Sequence, residues 1–348
     1  MASSNGITVS LLIPGMAAFN RQEWRELMPH APTLPGLSGL LNRGRRTRKT
    51  PCSYESLLAE KFSVTTSTPL PVAALTYLYD KLQPTDRYVL RADPVYLKAD
   101  RDCLYLLGRD GLNVALAEAE LLAAEINQLY ANDGWTLEIG APDRWYICID
   151  KNLEIETSPL HEVFGKNISM YLPRGQDQKQ WRVVLTELQM LLHNSEVNTR
   201  RIINQSLPIN SVWLWGGGRL SQLAVGHPAK FDCIWSNDSL CLGLAQWANC
   251  PHDSLPLTAS DWIEHLRPGR HLLAFEDLRV LARENFQSWA DILSQFDEQW
   301  FTPLMEAFDN KLLANIHIEM EIGPAFDLVK PSIWNKWRRK KRLWYELS

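Results

Sequence analysis

The sequence predicts a mixed α/β fold, a mostly parallel sheet core flanked by helices with an inserted smaller α+β subdomain. Three observations predict it. Short apolar strands alternate with amphipathic helices on both flanks of the chain. A block of different character, strand then helix then hairpin, interrupts that alternation. Finally, a β-branched and aromatic strand from Ser211 to Trp215 runs straight into Gly216, Gly217 and Gly218. Glycines at a strand end let the backbone turn sharply or let a ligand approach it closely. A tight turn without ligand and an anion-binding loop are both open readings of that stretch.

In chain order, Ile7 to Ile13 is a short apolar run closed by Pro14-Gly15, the pattern of a buried parallel strand. Leucines at helical spacing from Leu34 to Leu41, with Gly44 beyond them, predict a short helix. Arg43, Arg45, Arg46, Arg48 and Lys49 follow as a basic cluster, read as a solvated face or an electropositive rim. Glu55 to Phe62 and Pro71 to Leu82 are predicted helices. Short strands near Val89, Val95–Leu97 and Cys103–Leu107 are expected to be broken at Asp93-Pro94 and at 100–102. Leu116, Ala119, Leu122, Ala123, Ile126 and Tyr130 mark one helix face, and Trp135–Ile139 with Trp145–Ile149 form a hairpin.

Trp181, Val184, Leu185, Leu188, Leu191 and Leu192 define the next helix, before the glycine-ended strand. Strands at Phe231–Trp235, Leu272–Phe275 and Leu313–Met320 then alternate with helices near Asp238–Trp247 and Phe286–Phe308. The expected domains are a discontinuous core of 1–85 and 176–326, an insertion of 86–175, and a basic, aromatic tail of 327–348.

Composition narrows the function classes. Hydrophobic residues make up 45% of the 348, enough for a core. A net charge of −4 gives no overall pull toward nucleic acid or acidic membranes. The six cysteines are scattered without a Cys-x-x-Cys pair, which argues against a disulfide scaffold and a zinc ribbon. No signal-peptide pattern and no run of ~18 apolar residues is visible, so a soluble cytoplasmic protein is expected.

Several stretches, in order, resemble the archaeal-type cofactor-independent phosphoglycerate mutases of the alkaline phosphatase superfamily. Thr157-Ser158-Pro159-Leu160-His161-Glu162 is similar to that family's Thr-Asp-Pro-His stretch. Val197-Asn198-x-x-Arg201 leads to Asn210, and Trp215-Gly216-Gly217-Gly218 stands where the family has Arg-Gly-Ala-Gly. Arg91-Ala92-Asp93 resembles the start of the family's inserted domain. The resemblance runs from the first strand to about Glu321 and is strongest between 157 and 218. The chain also resembles the RpfE-type bacterial regulatory proteins, through Leu90 to Val95, Gln189 to His193 and the Trp-Leu-Trp-Gly-Gly-Gly element.

The resemblance implies an alkaline-phosphatase-like core and, in an active member, two divalent metals and a Ser or Thr nucleophile. This chain departs from that pattern. Pro14-Gly15-Met16 replaces the family's Asp-Gly after the first strand. Pro51-Cys52-Ser53-Tyr54 retains a serine at the nucleophile's place, but Ser53 also suits the N-cap of the following helix. The late ligand segment keeps Glu276 and Asp277 without a histidine, leaving His271 as a nearby candidate.

Candidate ligand-binding residues are therefore Arg91, His161, Asn198, Arg201, Asn210, Trp215, Gly216, Gly217, Gly218 and Arg219. His193 reads as a helix C-terminal residue. The preferred reading is a degenerate mutase-like protein that binds a small phosphorylated or acidic ligand, or a protein partner, in a regulatory role and without a cofactor. An active mutase or phosphatase holding Mn²⁺ or Zn²⁺ on rearranged ligands is the alternative. A third reading has Arg338 to Arg342 and the neighbouring tryptophans contact nucleic acid or membrane, against the negative net charge.

Overall fold

The computed structural model describes residues 6–16, 32–65, 69–101, 103–107, 111–224, 230–275 and 286–329. The chain forms two compact units, Met1–Val64 with Gly226–Ser348, and Thr65–Val225. It enters the larger unit through β1 (Ile7–Leu12), α1 (Pro35–Arg43), β2 (Arg45–Thr47) and α2 (Tyr54–Lys61). The smaller unit follows, with α3 (Val72–Lys81), β3 (Tyr88–Asp100), β4 (Cys103–Leu107), α4 (Leu116–Leu129) and the hairpin β5 (Trp135–Ala141) and β6 (Arg144–Ile149). It continues with β7 (Ile155–Glu156), α5 (Leu160–Val163), β8 (Arg174–Gly175), α6 (Gln178–Asn194), α7 (Glu196–Ile203) and β9 (Ser211–Gly218). The return supplies β10 (Cys233–Ser236), α8 (Ser239–Trp247), β11 (His252–Asp253), α9 (Ala259–Glu264) and β12 (Arg270–Ala274). It closes with α10 (Phe286–Phe296), a π-helical turn (Asp297–Phe301), α11 (Thr302–Asp309), β13 (Leu313–Glu319) and β14 (Ala325–Val329).

The larger unit is the expected mostly parallel sheet flanked by helices. Its strand order is β11-β10-β12-β1-β13-β14-β2. The four pairings from β11 to β13 are parallel, and β14 and β2 close the edge antiparallel. Val9, Leu11 and Ile13 of the first strand pack with Leu37, Leu40, Leu293, Trp300 and Leu304 into one apolar layer. Each fully buried leucine contributes roughly 2 kcal/mol of transfer free energy.

One joint in that layer is polar. Leu34, the residue before α1, offers no side-chain cap, and Asp297 supplies one instead. Its buried carboxylate accepts from the N–H of Gly36 (2.9 Å) and of Leu37 (2.7 Å). A carboxylate satisfies the orphan N–H groups at a helix start and matches its dipole.

The smaller unit is an antiparallel sheet, β4-β3-β6-β5 with β9 on β3, packed on α4 and α6. Two expectations change here. The break at Asp93-Pro94 is absent: β3 is one strand of 13 residues. Pro94 falls after the β6 ladder ends at Arg91 and before the β4 ladder begins at Tyr96, where a missing N–H loses no bond on that side.

The domain boundaries also move, from 85/86 and 175/176 to 64/65 and 225/226. The cause is β9, expected in the parallel core, which pairs antiparallel with β3 from Val89 to Val95. It carries α3, α6 and α7 into the smaller unit with it. The residues 330–348 of the basic tail lie outside the described residues, whereas 327–329 belong to β14.

Candidate functional site

The carboxyl edge of a parallel sheet is where open α/β folds bind ligands. At that edge of the larger unit, the ends of β1 and β13 and the start of α2 meet on Glu321. The Gly15 N–H reaches its carboxylate (3.3 Å) and the Cys52 N–H its carbonyl (3.1 Å). Two residues earlier, buried Glu319 gathers three basic side chains. Lys61 lies 2.6 Å and Lys49 3.1 Å from Oε2, while His317 Nε2 donates to Oε1 at 2.6 Å. Lys49 also pairs with Glu60 at 3.0 Å, and His317 Nδ1 donates to Asp327 at 2.5 Å.

Burial alone would raise the Glu319 pKa, but the hydrogen bonds and charges of His317 and Lys61 hold its carboxyl well below the usual carboxylate range. For His317, burial acts to lower the pKa. The Glu319 carboxylate, helped by Asp327, outweighs burial and raises it above the ordinary histidine value. With carboxylates at both nitrogens, the imidazolium is the form that satisfies both.

The residues expected at this edge take structural roles. Ser53 is the N-cap of α2, its Oγ accepting from the Ser56 N–H at 3.2 Å. The Cys52 thiol is pushed up, by burial first and by the neighbouring carboxylates, with Lys49 opposing. It is not an activated thiolate. His271 does not serve as a metal ligand: it is buried near the amino end of β12 with both nitrogens used. Nδ1 accepts from Trp235 Nε1 (3.2 Å) and Nε2 donates to the Arg267 carbonyl (2.7 Å). Glu276 and Asp277 lie outside the described residues.

A divalent metal does not fit the described donors. Both oxygens of Glu319 are taken by cationic groups, two of them ammoniums that would repel a metal ion. Among the described residues no cluster of three or more His, Cys, Asp or Glu side chains is arranged to hold one.

In the smaller unit, the candidate binding residues spend their polar groups on the unit itself. Arg91 and Asp93 form a buried bidentate pair, at 2.8 Å and 2.9 Å. Trp215 Nε1 donates to the same carboxylate at 2.7 Å, and the guanidinium lies over the rings of Trp215 (5.2 Å) and Tyr146 (5.5 Å). Trp215 thus completes a buried ion pair. The His161 ring meets Trp215 edge-on at 6.4 Å.

Asn198 clamps the chain by donating to the carbonyls of Leu192 and Ile209 and accepting from the Ile209 N–H, each at 2.7 Å. Asn210 does the same with both backbone groups of Leu97. Buried Arg201 binds Glu118 and the carbonyls of Leu207 and Leu112. Arg219 ties Asn152 and the carbonyls of Asp86 and Asp150.

The glycines continue β9 and do not form a loop. A Cβ on Gly217 would lie 2.3 Å from the Tyr88 hydroxyl, and one on Gly218 2.6 Å from Pro71. Gly216 has φ +67° and packs on Val72. Close packing requires them. His193, in the last turn of α6, lines a shallow surface depression with Asn210 and Met190.

Lys61, Glu319 and Asp327 escaped the sequence reading, which has Lys49 only as part of the basic cluster and His317 only as a lone C-terminal histidine. Alternation along β13 puts His317 and Glu319 on one face, a visible signal. Their partners come from distant strands and helices, which local pattern does not reveal.

No protein-family model matches the chain. Over 108 residues it is 30% identical to the 2,3-bisphosphoglycerate-independent phosphoglycerate mutase of Methanosarcina mazei, covering 30% of this chain and 27% of that protein. Over 133 residues it is 33% identical to the Methanosarcina acetivorans enzyme of the same name, covering 38% and 33%. The probable enzyme of that name from Geobacter sulfurreducens is 25% identical over 139 residues, covering 39% and 35%. The matched stretch is thus about a third or less of each relative's length.

Among solved structures, the PH0037 protein from Pyrococcus horikoshii superposes with a TM-score of 0.55 at 11% identity, over 96% of this chain and 90% of that one. A cofactor-independent phosphoglycerate mutase from Thermoplasma acidophilum gives 0.46 at 17% identity, over 94% and 91%. The chain is distantly similar to phosphoglycerate mutases in sequence, and the Pyrococcus match shows the fold.

Proposed function

We propose that this mutase-like chain works by binding a ligand or a protein partner in a regulatory role, as the resemblance to RpfE-type proteins implies, and carries out no metal-dependent mutase chemistry. One observation carries the reading. At the sheet edge where the family resemblance calls for metal ligands and a nucleophile, Glu319 is neutralised by Lys49, Lys61 and His317. Pro14-Gly15 offers no side-chain ligand there, and Ser53 caps a helix.

A phosphoryl-transfer centre needs exposed positive charge facing the phosphate oxygens. Here each cation already has an anionic partner, and Glu319 and Lys61 are largely shielded from solvent. Titrating chelator-treated protein with Mn²⁺ and with Zn²⁺ by calorimetry tests the reading. No saturable one- or two-site binding is expected, and tight stoichiometric binding would reverse it in favour of an active metalloenzyme.

A further inference from the structure

The face of the larger sheet that carries His317 and Glu319 also carries, toward β14 and β2, a trough of about 740 Å³. It is lined by Thr8, Arg45, Thr47, Asn315, His317 and Asp327, with Ile316, Leu328 and Val329 as its apolar part. Register explains how it forms. His317 of β13 sits opposite Asp327 of β14, which sits opposite Arg45 of β2, so three ionisable residues form one row across three strands. Thr8 of β1 sits opposite Asn315, and their side chains meet at 3.4 Å. Alternation sends these polar side chains to one face while Phe326 packs into the core on the other, and Ile316 and Leu328, themselves core residues, border the trough floor.

The charges in the row are unevenly spent. Asp327 hydrogen-bonds to His317, whose other nitrogen is held by Glu319, and Glu319 in turn is matched by Lys49 and Lys61. Arg45 is exposed and forms no hydrogen bond or ion pair with any described residue. The protonated row therefore has one positive charge in excess, on a guanidinium shaped for phosphate or carboxylate. Thr8, Thr47 and Asn315 add groups that both donate and accept, as hydroxyls on a ligand require. Among the described residues, the trough is lined by no Phe, Tyr or Trp.

We propose that the trough binds a small hydroxylated anion, a phosphate- or carboxylate-bearing polyol, with Arg45 holding the anionic group and Thr8, Thr47 and Asn315 the hydroxyls. This site shares His317 with the Glu319 cluster, but the proposal does not rest on the mutase-like reading. Ligand binding there would also favour the His317 imidazolium, coupling occupancy to the Glu319 cluster.

The test follows the His317 imidazole resonances in the full-length protein by NMR during titration with sn-glycerol 3-phosphate and, separately, D-glycerate. At least one is expected to give a saturable shift, and the tighter one identifies the anionic group. Arg45→Ala is expected to weaken binding by about tenfold or more, and Thr47→Val by about threefold. Both positions are exposed on an edge strand, so thermal melts should match the parent. The proposal is overturned by the absence of a saturable shift with either probe, or by undiminished binding in Arg45→Ala. Equal binding of glycerol would remove the role of charge, and inorganic phosphate binding as tightly as glycerol 3-phosphate would remove that of the hydroxyls; each also overturns it.

Discussion

Glu319 is a buried carboxylate with three basic neighbours, and its environment fixes the pH behaviour of the larger unit. Replacing it by glutamine leaves Lys61 without its carboxylate and Lys49 with only exposed Glu60. Breaking a buried pair in this way costs about 3 kcal/mol, so the urea midpoint of Glu319→Gln should fall accordingly. His317 gives a second expectation. Its folded pKa is raised, so its contribution is complete below the ordinary value of 6.5 and is lost as pH rises through the higher folded value. Glu319 has a lowered folded pKa; its contribution is present above the ordinary value of 4.5 and is lost as pH falls toward the folded one. Stability of the parent should therefore decline on the alkaline side of 6.5, and His317→Gln should flatten that limb. An unchanged alkaline limb in the variant would remove His317 from the account.

At the scale of elements, two close approaches organise the fold. Strand β9 ends in glycines because α3 and β3 lie against it. Gly216→Ala places a side chain at positive φ with its Cβ 3.0 Å from Val72, and should destabilise by about 1–3 kcal/mol. Guanidinium unfolding of the smaller unit measures it. A ligand loop would instead lose binding at unchanged stability. In the larger unit, Asp297→Ala strips the cap from α1 and should cost about 2 kcal/mol in guanidinium unfolding of that unit.

Element existence was largely legible from periodicity, as in α6, whose buried Trp181, Val184, Leu185, Leu188 and Leu192 follow helical spacing. The π-helical turn that aims Asp297 at α1 was not, because its reason lies 260 residues away along the chain. Strand β2 was hidden inside the basic cluster 43–49, where composition signals solvation and only pairing with β14 makes a strand. The site was less legible than the fold. Motif residues such as Asn198, Arg201 and Asn210 stood out as candidate ligands, yet their partners are backbone groups far along the chain. Similarity in a motif can record a shared way of closing a fold as readily as a shared ligand.

For the whole molecule, a parallel sheet of the expected class supports an edge whose charges are matched internally, while the exposed Arg45 guanidinium lies in the same row as His317 and Asp327 without a partner among the described residues. Among the described residues no helix is long and apolar enough to cross a membrane. The distant similarity to phosphoglycerate mutases leaves one activity to be measured first. Purified protein supplied with excess Mn²⁺ should be incubated with 3-phosphoglycerate and 2-phosphoglycerate followed by coupled assay. The account predicts formation no faster than in a protein-free control. Multiple turnovers that disappear on chelation and return with added metal would contradict it.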